Sequence, residues 1–418
     1  MDLAITQYYE HDTGQLASIH GPGLMQNLPV IIAGGGIGGL AAALGLARKG
    51  VASIVLERSA ELGEIGAGIQ IGPNAFHCFD YLGVGDEARA RAVFIDSLRL
   101  MDAVSGEPIA AIPLEDEFRK RFRNPYAVVH RADLHGVLLD ACRASDSIDL
   151  RSSHAVMGYD QDGSSVRIHC EGKESLDGRA LIGADGLRSG IRQQLVGDGD
   201  PRVSGHTTYR SVIPTEQMPE DLRWNAATLW AGPKCHIVHY PLKGWQLFNL
   251  VVTYHNDVKE AVAGKPVSKA EVERGFEHIT QRARQIIEHG KDWKLWVLCD
   301  RDPILDWVDG RVALLGDAAH PMLQYFAQGA CMAMEDAVCL SHMVEHHGDD
   351  IETALDRYMR QRRVRTARVQ LDSRLIGEYI YHPAGAVAEV RNHVMSNLTP
   401  NQWYDKLAWL YGGTGLDA

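Results

Sequence analysis

The chain has 418 residues, of which 45% are hydrophobic and 23% charged, and a formal charge of −12. That length exceeds what one small core organises and points to two domains. The acidic balance argues against nucleic acid and against an anionic membrane surface as partners, since both select basic surfaces. Seven cysteines, an odd number without a C-x-x-C pair, predict buried thiols in a reducing, cytoplasmic setting, with neither a disulfide framework nor a bound metal.

In chain order, residues 1–26 read as a flexible polar extension without a signal peptide. "LPVIIAGGGIGGLAAALGLA", residues 28–47, is a run of twenty uncharged residues, the length a bilayer demands. Five glycines in the six positions 34–39 are poor helix chemistry and predict instead a strand, a tight turn and a helix. Gly34, Gly36 and Gly39 fit G-x-G-x-x-G, and the next strand ends at Glu57, eighteen residues beyond Gly39. In that pattern the glycines let a pyrophosphate approach a helix N-terminus, and the acid accepts hydrogen bonds from a ribose diol. The motif predicts a dinucleotide and leaves open whether it is FAD or NAD.

Short runs between 94 and 129 predict strands and turns that interrupt the nucleotide domain. "RADLHGVLLDACRAS" returns to helical spacing, with Leu134, Val137, Leu138 and Ala141 on one stripe. "RALIGADGLRSGIRQQL" reads as a buried strand entering a turn. From 205 to 300 the chain is rich in strands and tryptophan, with one amphipathic helix in "EVERGFEHITQRARQIIEH". Within it, "CHIVHYPL" as a strand sets His236, Val238 and Tyr240 on one face, and Ile237 and His239 on the other. The first face is a candidate cavity wall; His239 reads as structural. "GRVALLGDAAHPMLQYFAQGACMAMEDAVCLSHMVEH" is again strand, turn and helix, and the rest is mostly helical. There is no internal repeat, and the two domains are expected to be interleaved.

Three motifs carry a resemblance: the glycine turn, "GADGLRSGIR" at 183–192 and "GDAAHPMLQYFAQGA" at 316–330. In this order they resemble the single-component flavoprotein aromatic hydroxylases. The resemblance implies an α/β fold like that of p-hydroxybenzoate hydroxylase. There a Rossmann-like FAD-binding domain (here 27–93, 127–204 and 296–348) is interleaved with a mixed or antiparallel-sheet substrate domain (94–126 and 205–295). A helical C-terminal part, 349–418, follows. It implies FAD held by Gly34, Gly36, Gly39, Glu57, Arg58, Gln70, Arg131, Asp185 and Asp317. Gly329 and Ala330 would open a helix whose N–H groups face the flavin's pyrimidine edge, where reduced flavin carries negative charge. Arg188, Ser189 and Arg192 would serve both the flavin and the reduced nicotinamide. No second G-x-G-x-x-G follows a strand, so NADH, or NADPH, would bind transiently at the flavin domain, with O2 as co-substrate.

Gln324 stands where many members carry proline. Together with "PYAVVHR", "CHIVHYPLKG", "DPILDWVDGR" and "LAWLYG" it is similar to the 3-hydroxybenzoate 6-hydroxylases. This implies that Tyr126, His236, Tyr240 and Gln324 surround the ring of a small aromatic acid, and that His236, Tyr240 and Gln324 are catalytic. The expected reaction is para-hydroxylation of 3-hydroxybenzoate to gentisate through a flavin C4a-hydroperoxide, with His236 drawing off the phenolic proton. No arginine in these stretches is placed to clamp the carboxylate. His320 reads as structural, and a homodimer is what the family suggests. The rivals are hydroxylases that decarboxylate salicylate or 6-hydroxynicotinate, a flavin halogenase, whose W-x-W-x-I-P "DWKLWVL" does not match, and a flavin-binding regulator without turnover.

Overall fold

Two apolar runs of four residues, Val30–Ala33 and Ala180–Gly183, are buried at every position and pair in parallel. Burial of successive residues on both faces is what a strand covered by helices on each side requires. They form the centre of a six-stranded sheet ordered Val308–Asp309, Val312–Leu314, Ala180–Gly183, Val30–Ala33, Ser53–Leu56 and Ile148–Arg151, parallel except at its first pair. Helix Ile37–Ala47 leaves this sheet and packs against helices Arg131–Arg143 and Gly329–His347. This computed structural model describes residues 28–63 and 67–413; the expected N-terminal extension lies outside them.

A second sheet has eight strands: Lys265–Pro266, Lys294–Asp300, Arg202–Pro214, Leu247–His255, Cys235–Leu242, Ala226–Gly232, Ser97–Asp102 and Pro108–Pro113. All its pairs are antiparallel except Ala226–Gly232 with Ser97–Asp102. The architecture is therefore α/β, with a Rossmann-like sheet, a mixed sheet and a helical C-terminal part, Ile351–Ile376, Gly385–Ser396 and Pro400–Tyr411. Two of the expected boundaries, after 204 and after 295, fall inside strands of the second sheet, Arg202–Pro214 and Lys294–Asp300.

Register sets out one face of the second sheet in rows. His206 pairs with His255; Thr208 with Thr253, and Thr253 with His236; Arg210 with Val251, and Val251 with Val238; Val212 with Asn249, and Asn249 with Tyr240. Because side chains alternate along a strand, these rows share one face. A π-helical turn, Gly377–Tyr381, interrupts the chain after the long helix and brings Tyr381 and His382 onto that face. Such turns recur at functional sites.

The amphipathic helix expected in 271–289 is two short helices, Lys269–Glu273 and Gln281–His289. Gly275 packs on the Tyr254 ring, where an added Cβ would lie 3.0 Å away, and Phe276 and Ile279 are buried in the core beneath the sheet. Tertiary packing thus overrides the helical period between them. All seven cysteines are unpaired. No described helix is long and apolar enough to cross a membrane.

Candidate active site

Between the two sheets lies a cavity of about 760 Å3, within the range of small-molecule and cofactor sites. Gly34 and Gly36 line it, and Gly34 has φ +112°, open to glycine alone. Gly39 does not reach it. A Cβ there would lie 1.9 Å from the Gly34 carbonyl oxygen, so its role is to let the helix close onto the turn. Helix Ile37–Ala47 begins at Gly36 without a side-chain cap, and helix Gly329–His347 begins at Gln328 without one. Both N-termini border the cavity, presenting N–H groups that a helix leaves unsatisfied.

Glu57 closes the glycine turn by accepting hydrogen bonds from Gly35 N at 2.9 Å and Ser59 N at 2.8 Å. Partial burial pulls its pKa up, but those N–H groups and nearby Arg58 more than offset this and hold it below the ordinary glutamate value. Arg58, Gln70, Arg131 and Asp317 also line the cavity, as do Gly329 and Ala330. Asp185 Oδ2 accepts from Gly190 N at 2.8 Å, while its buried Oδ1 has no protein partner. Burial raises the Asp185 pKa. A glycine turn that opens on the cavity, two uncapped helix ends, an acid that lines it beside that turn and an orphan carboxylate oxygen together fit a dinucleotide such as FAD. Arg188 faces the cavity as well. Arg192 is fully buried and ties Asp198 to the carbonyls of Ala318 and Ala319, so it holds the Asp317 turn from behind.

The other wall comes from the second sheet. His236, Val238 and Tyr240 line it with Val251, Arg210 and Gln324. His236 is buried, and burial, followed by His382 and His206, pushes its pKa well below the usual imidazole value. Tyr240 is raised by burial, against the pull of Arg210. His239 is buried on the opposite face among Trp224 and Phe248 and pushed down to about 3 by burial. Tyr126 does not line the cavity; it stands behind Gln70, donating to Gln70 Oε1 at 2.7 Å.

Gln324 is fixed on three sides. Its Oε1 accepts from Arg210 Nη2 at 2.9 Å, and its Nε2 donates to Thr208 Oγ1 at 3.2 Å and Thr253 Oγ1 at 3.3 Å. Ala327, a non-glycine at φ +52°, then turns the chain into the helix at Gly329. Strain of this kind persists where surrounding structure imposes it.

Arg210 is the residue that sequence reasoning missed. Its guanidinium lines the cavity, lies 5.5 Å from the Trp296 ring, and has no carboxylate partner among the described residues. Its Nε is buried without a hydrogen-bond partner. Burial lowers its pKa, as expected of an uncompensated cation. The signal in "HTTYR" goes no further than strand alternation, which sets Thr208 and Arg210 on one face; the sheet's pairing turns that face to His236.

His320 lies behind the cofactor wall. Its Nε2 is 2.5 Å from Asp336 Oδ2, which also accepts from Gly316 N at 3.0 Å. Arg362 joins Asp336 to Glu335, each at 2.7 Å, in a fully buried cluster. Among the described residues, His342, Glu345 and His346 lie close enough to share an ion, but Lys49 Nζ is 2.6 Å from Glu345 Oε2. The ammonium thus holds the place a cation would take.

Residues 27–372 match the model of the FAD binding domain family. The chain is 53% identical over 383 residues to 3-hydroxybenzoate 6-hydroxylase 1 of Aquipseudomonas alcaligenes, covering 92% of this chain and 97% of that protein. It is 49% identical over 386 residues to 3-hydroxybenzoate 6-hydroxylase of Polaromonas naphthalenivorans, covering 92% and 96%. Among solved structures it is similar to Klebsiella pneumoniae HpxO complexed with FAD and uric acid. There the TM-score is 0.82 at 25% identity, over 96% of this chain and all of that one.

Proposed function

Because the chain belongs to the FAD binding domain family and is an FAD-dependent monooxygenase, we propose that it hydroxylates 3-hydroxybenzoate para to the hydroxyl, giving gentisate. The observation that carries this reading is a guanidinium without a carboxylate partner, Arg210, in the cavity shared by His236 and Gln324. A buried cation calls for an anion, and a neutral imidazole calls for a proton to accept; a hydroxybenzoate brings both, a carboxylate and a phenol. The names of the relatives supply the position of hydroxylation.

When bound, FAD reduced by NADH or NADPH and met by O2 supplies the electrophilic oxygen. The chain's own residues prepare the ring that receives it. Arg210 anchors the substrate carboxylate, and Gln324, its amide hydrogens held by Thr208 and Thr253, keeps Arg210 in place and leaves the hydroxyl proton to another acceptor. His236 accepts that proton, pushing charge into the positions ortho and para to oxygen. Its depressed pKa keeps the imidazole neutral and ready to accept. A phenol near pKa 10 against an imidazole below 6.5 makes full transfer uphill by about 5 kcal/mol or more. The proton therefore moves as the new C–O bond forms, or the cations Arg210 and Arg131 lower the phenol pKa. Tyr240 is a hydroxyl donor to the substrate, and Tyr126 holds Gln70 at the cofactor.

The test is a substrate panel on the FAD-loaded protein, following NADH loss and identifying products. The expected result is gentisate from 3-hydroxybenzoate without CO2. Coupled turnover of salicylate or 6-hydroxynicotinate with release of CO2, and none of 3-hydroxybenzoate, overturns the assignment of substrate.

A further inference from the structure

Tyr381 lines the active-site cavity, and its hydroxyl has no hydrogen-bond partner among the described residues. The π-helical turn Gly377–Tyr381 delivers it there. Gly377 lies so close to Tyr325 that an added Cβ would stand 2.6 Å from the ring. Arg391, itself buried, donates to the Ile380 carbonyl oxygen. The turn is thus held near both ends. Tyr381 comes to rest at a right angle to His236, with ring centroids 4.7 Å apart and planes at 86°, and the Tyr325 ring packs on it at 5.1 Å.

The polar groups of the substrate wall divide between two ends of the cavity. Arg210 and Tyr240 belong to one: burial raises the Tyr240 phenol, and the nearby guanidinium pulls it back. The Tyr240 ring leans on Gly68, where an added Cβ would lie 2.5 Å from the ring and 2.8 Å from the hydroxyl oxygen. His236 and Tyr381 belong to the other. His236 Nδ1 is 2.7 Å from His382 Nε2, which leaves its Nε2 for a substrate. The groups between are already committed. Gln324 gives its amide hydrogens to Thr208 and Thr253 and its oxygen to Arg210, and the Tyr325 hydroxyl bonds His206. Beside His236, the hydroxyl still open among the described residues is that of Tyr381. Burial raises its pKa, so it keeps its proton and stays a donor.

Resting on the reading of His236 as proton acceptor, we propose that Tyr381 makes the site select a hydroxyl at the meta position of the benzoate. Its O–H donates to the substrate's phenolic oxygen while that oxygen donates to His236 Nε2. When the substrate O–H bond breaks and the proton joins Nε2, the electron pair left on oxygen accepts the Tyr381 hydrogen bond. Tyr381 keeps its own proton throughout. A hydrogen bond to a charged acceptor is stronger than one to a neutral acceptor. The contact therefore favours phenolate over phenol and narrows the mismatch with imidazole. An amino group in that place donates to His236 and leaves the Tyr381 hydroxyl unpaired; a ring C–H leaves both unpaired. A site built to pair a hydroxyl rejects such analogues.

The experiment measures Kd for 3-hydroxybenzoate, 3-aminobenzoate and benzoate on the FAD-loaded protein, by change in flavin fluorescence, for wild type, Tyr381→Phe and Tyr240→Phe. Phenylalanine keeps the ring that packs on His236 and removes one oxygen. FAD content and Tm report folding, and the benzoate arm reports whether the site itself survives. The expected result is that Tyr381→Phe binds 3-hydroxybenzoate roughly tenfold more weakly and the other two within about twofold of wild type. Tyr240→Phe, at the Arg210 end, should weaken all three alike. A loss shared equally by the three ligands in Tyr381→Phe, or no loss, overturns the role of Tyr381 and leaves the assigned reaction standing. The selective loss appearing in Tyr240→Phe instead gives the contact to Tyr240 and overturns it too. A wild-type holoenzyme that hydroxylates no phenol overturns the assigned reaction, and the role of Tyr381 with it.

Discussion

The two walls of the active-site cavity are built differently. The cofactor wall is mostly backbone, a glycine turn and two uncapped helix ends, joined by the acids Glu57, Asp185 and Asp317; Gly34, Glu57 and Gly39, which packs the helix onto the turn, lie in a single strand–helix–strand unit. The substrate wall is made of side chains on one face of a sheet, with Arg210, His236 and Gln324 brought together from three separate segments. A backbone cradle tolerates no added atoms, whereas a side-chain wall can change chemistry while the fold stays intact. Substitutions on the first wall should therefore abolish everything at once, and those on the second should separate one step from another.

The largest effect is expected on the cofactor wall. Gly39→Ala puts a methyl 1.9 Å from the Gly34 carbonyl oxygen, a backbone atom that cannot give way. The variant should purify without FAD, as an absorption spectrum would reveal. A yellow, active Gly39→Ala enzyme would break the contrast between the walls. On the other wall, His236→Ala should lower the hydroxylation rate roughly 100-fold or more while FAD binding and flavin reduction by NADH persist. Single-turnover measurement of each half-reaction separates them, and equal loss in both rejects His236 as the proton acceptor. Arg210→Met should act more weakly, raising the substrate KM about 10- to 100-fold, the loss of a charge-assisted hydrogen bond or two, with FAD content unchanged. Unchanged KM would mean that the guanidinium serves Gln324 alone.

The same contrast explains how much the sequence disclosed. The cofactor wall was legible because Gly34, Gly36, Gly39 and Glu57 lie close in sequence, and their spacing states the turn that they make. His236 and Tyr240 were placed on one face because strand alternation is also local. Arg210 was not found, since its significance depends on which strand lies beside which, and no period within "HTTYR" states that Thr208 pairs with Thr253 or Thr253 with His236. The broken helix at 269–289 has the same cause: a helical period is local, but the Tyr254 ring against Gly275 is not. The His236–His382 contact joins residues 146 apart through a π-helical turn that no pattern announced.

The smallest predicted effect sharpens the comparison by testing what supports the cofactor wall from behind. Asp336 ties the Gly316 N–H, His320 and Arg362 together, fully buried. Burial alone would raise its pKa, but His320 and Arg362 outweigh it and hold the carboxyl at about 2 against an ordinary 3.8. A folded-state pKa below the unfolded one means that ionised Asp336 contributes stability in full above about pH 4, and that this is lost as pH falls towards 2. Over that window the contribution is about 2 kcal/mol. Urea unfolding should then show Asp336→Asn destabilised at neutral pH, with its deficit relative to wild type shrinking as pH falls from 4 to 2. A deficit constant over that range would mean that Asp336 acts through shape and hydrogen bonding alone, and that its charge does not help to hold the Gly316–Asp317 turn against the cofactor.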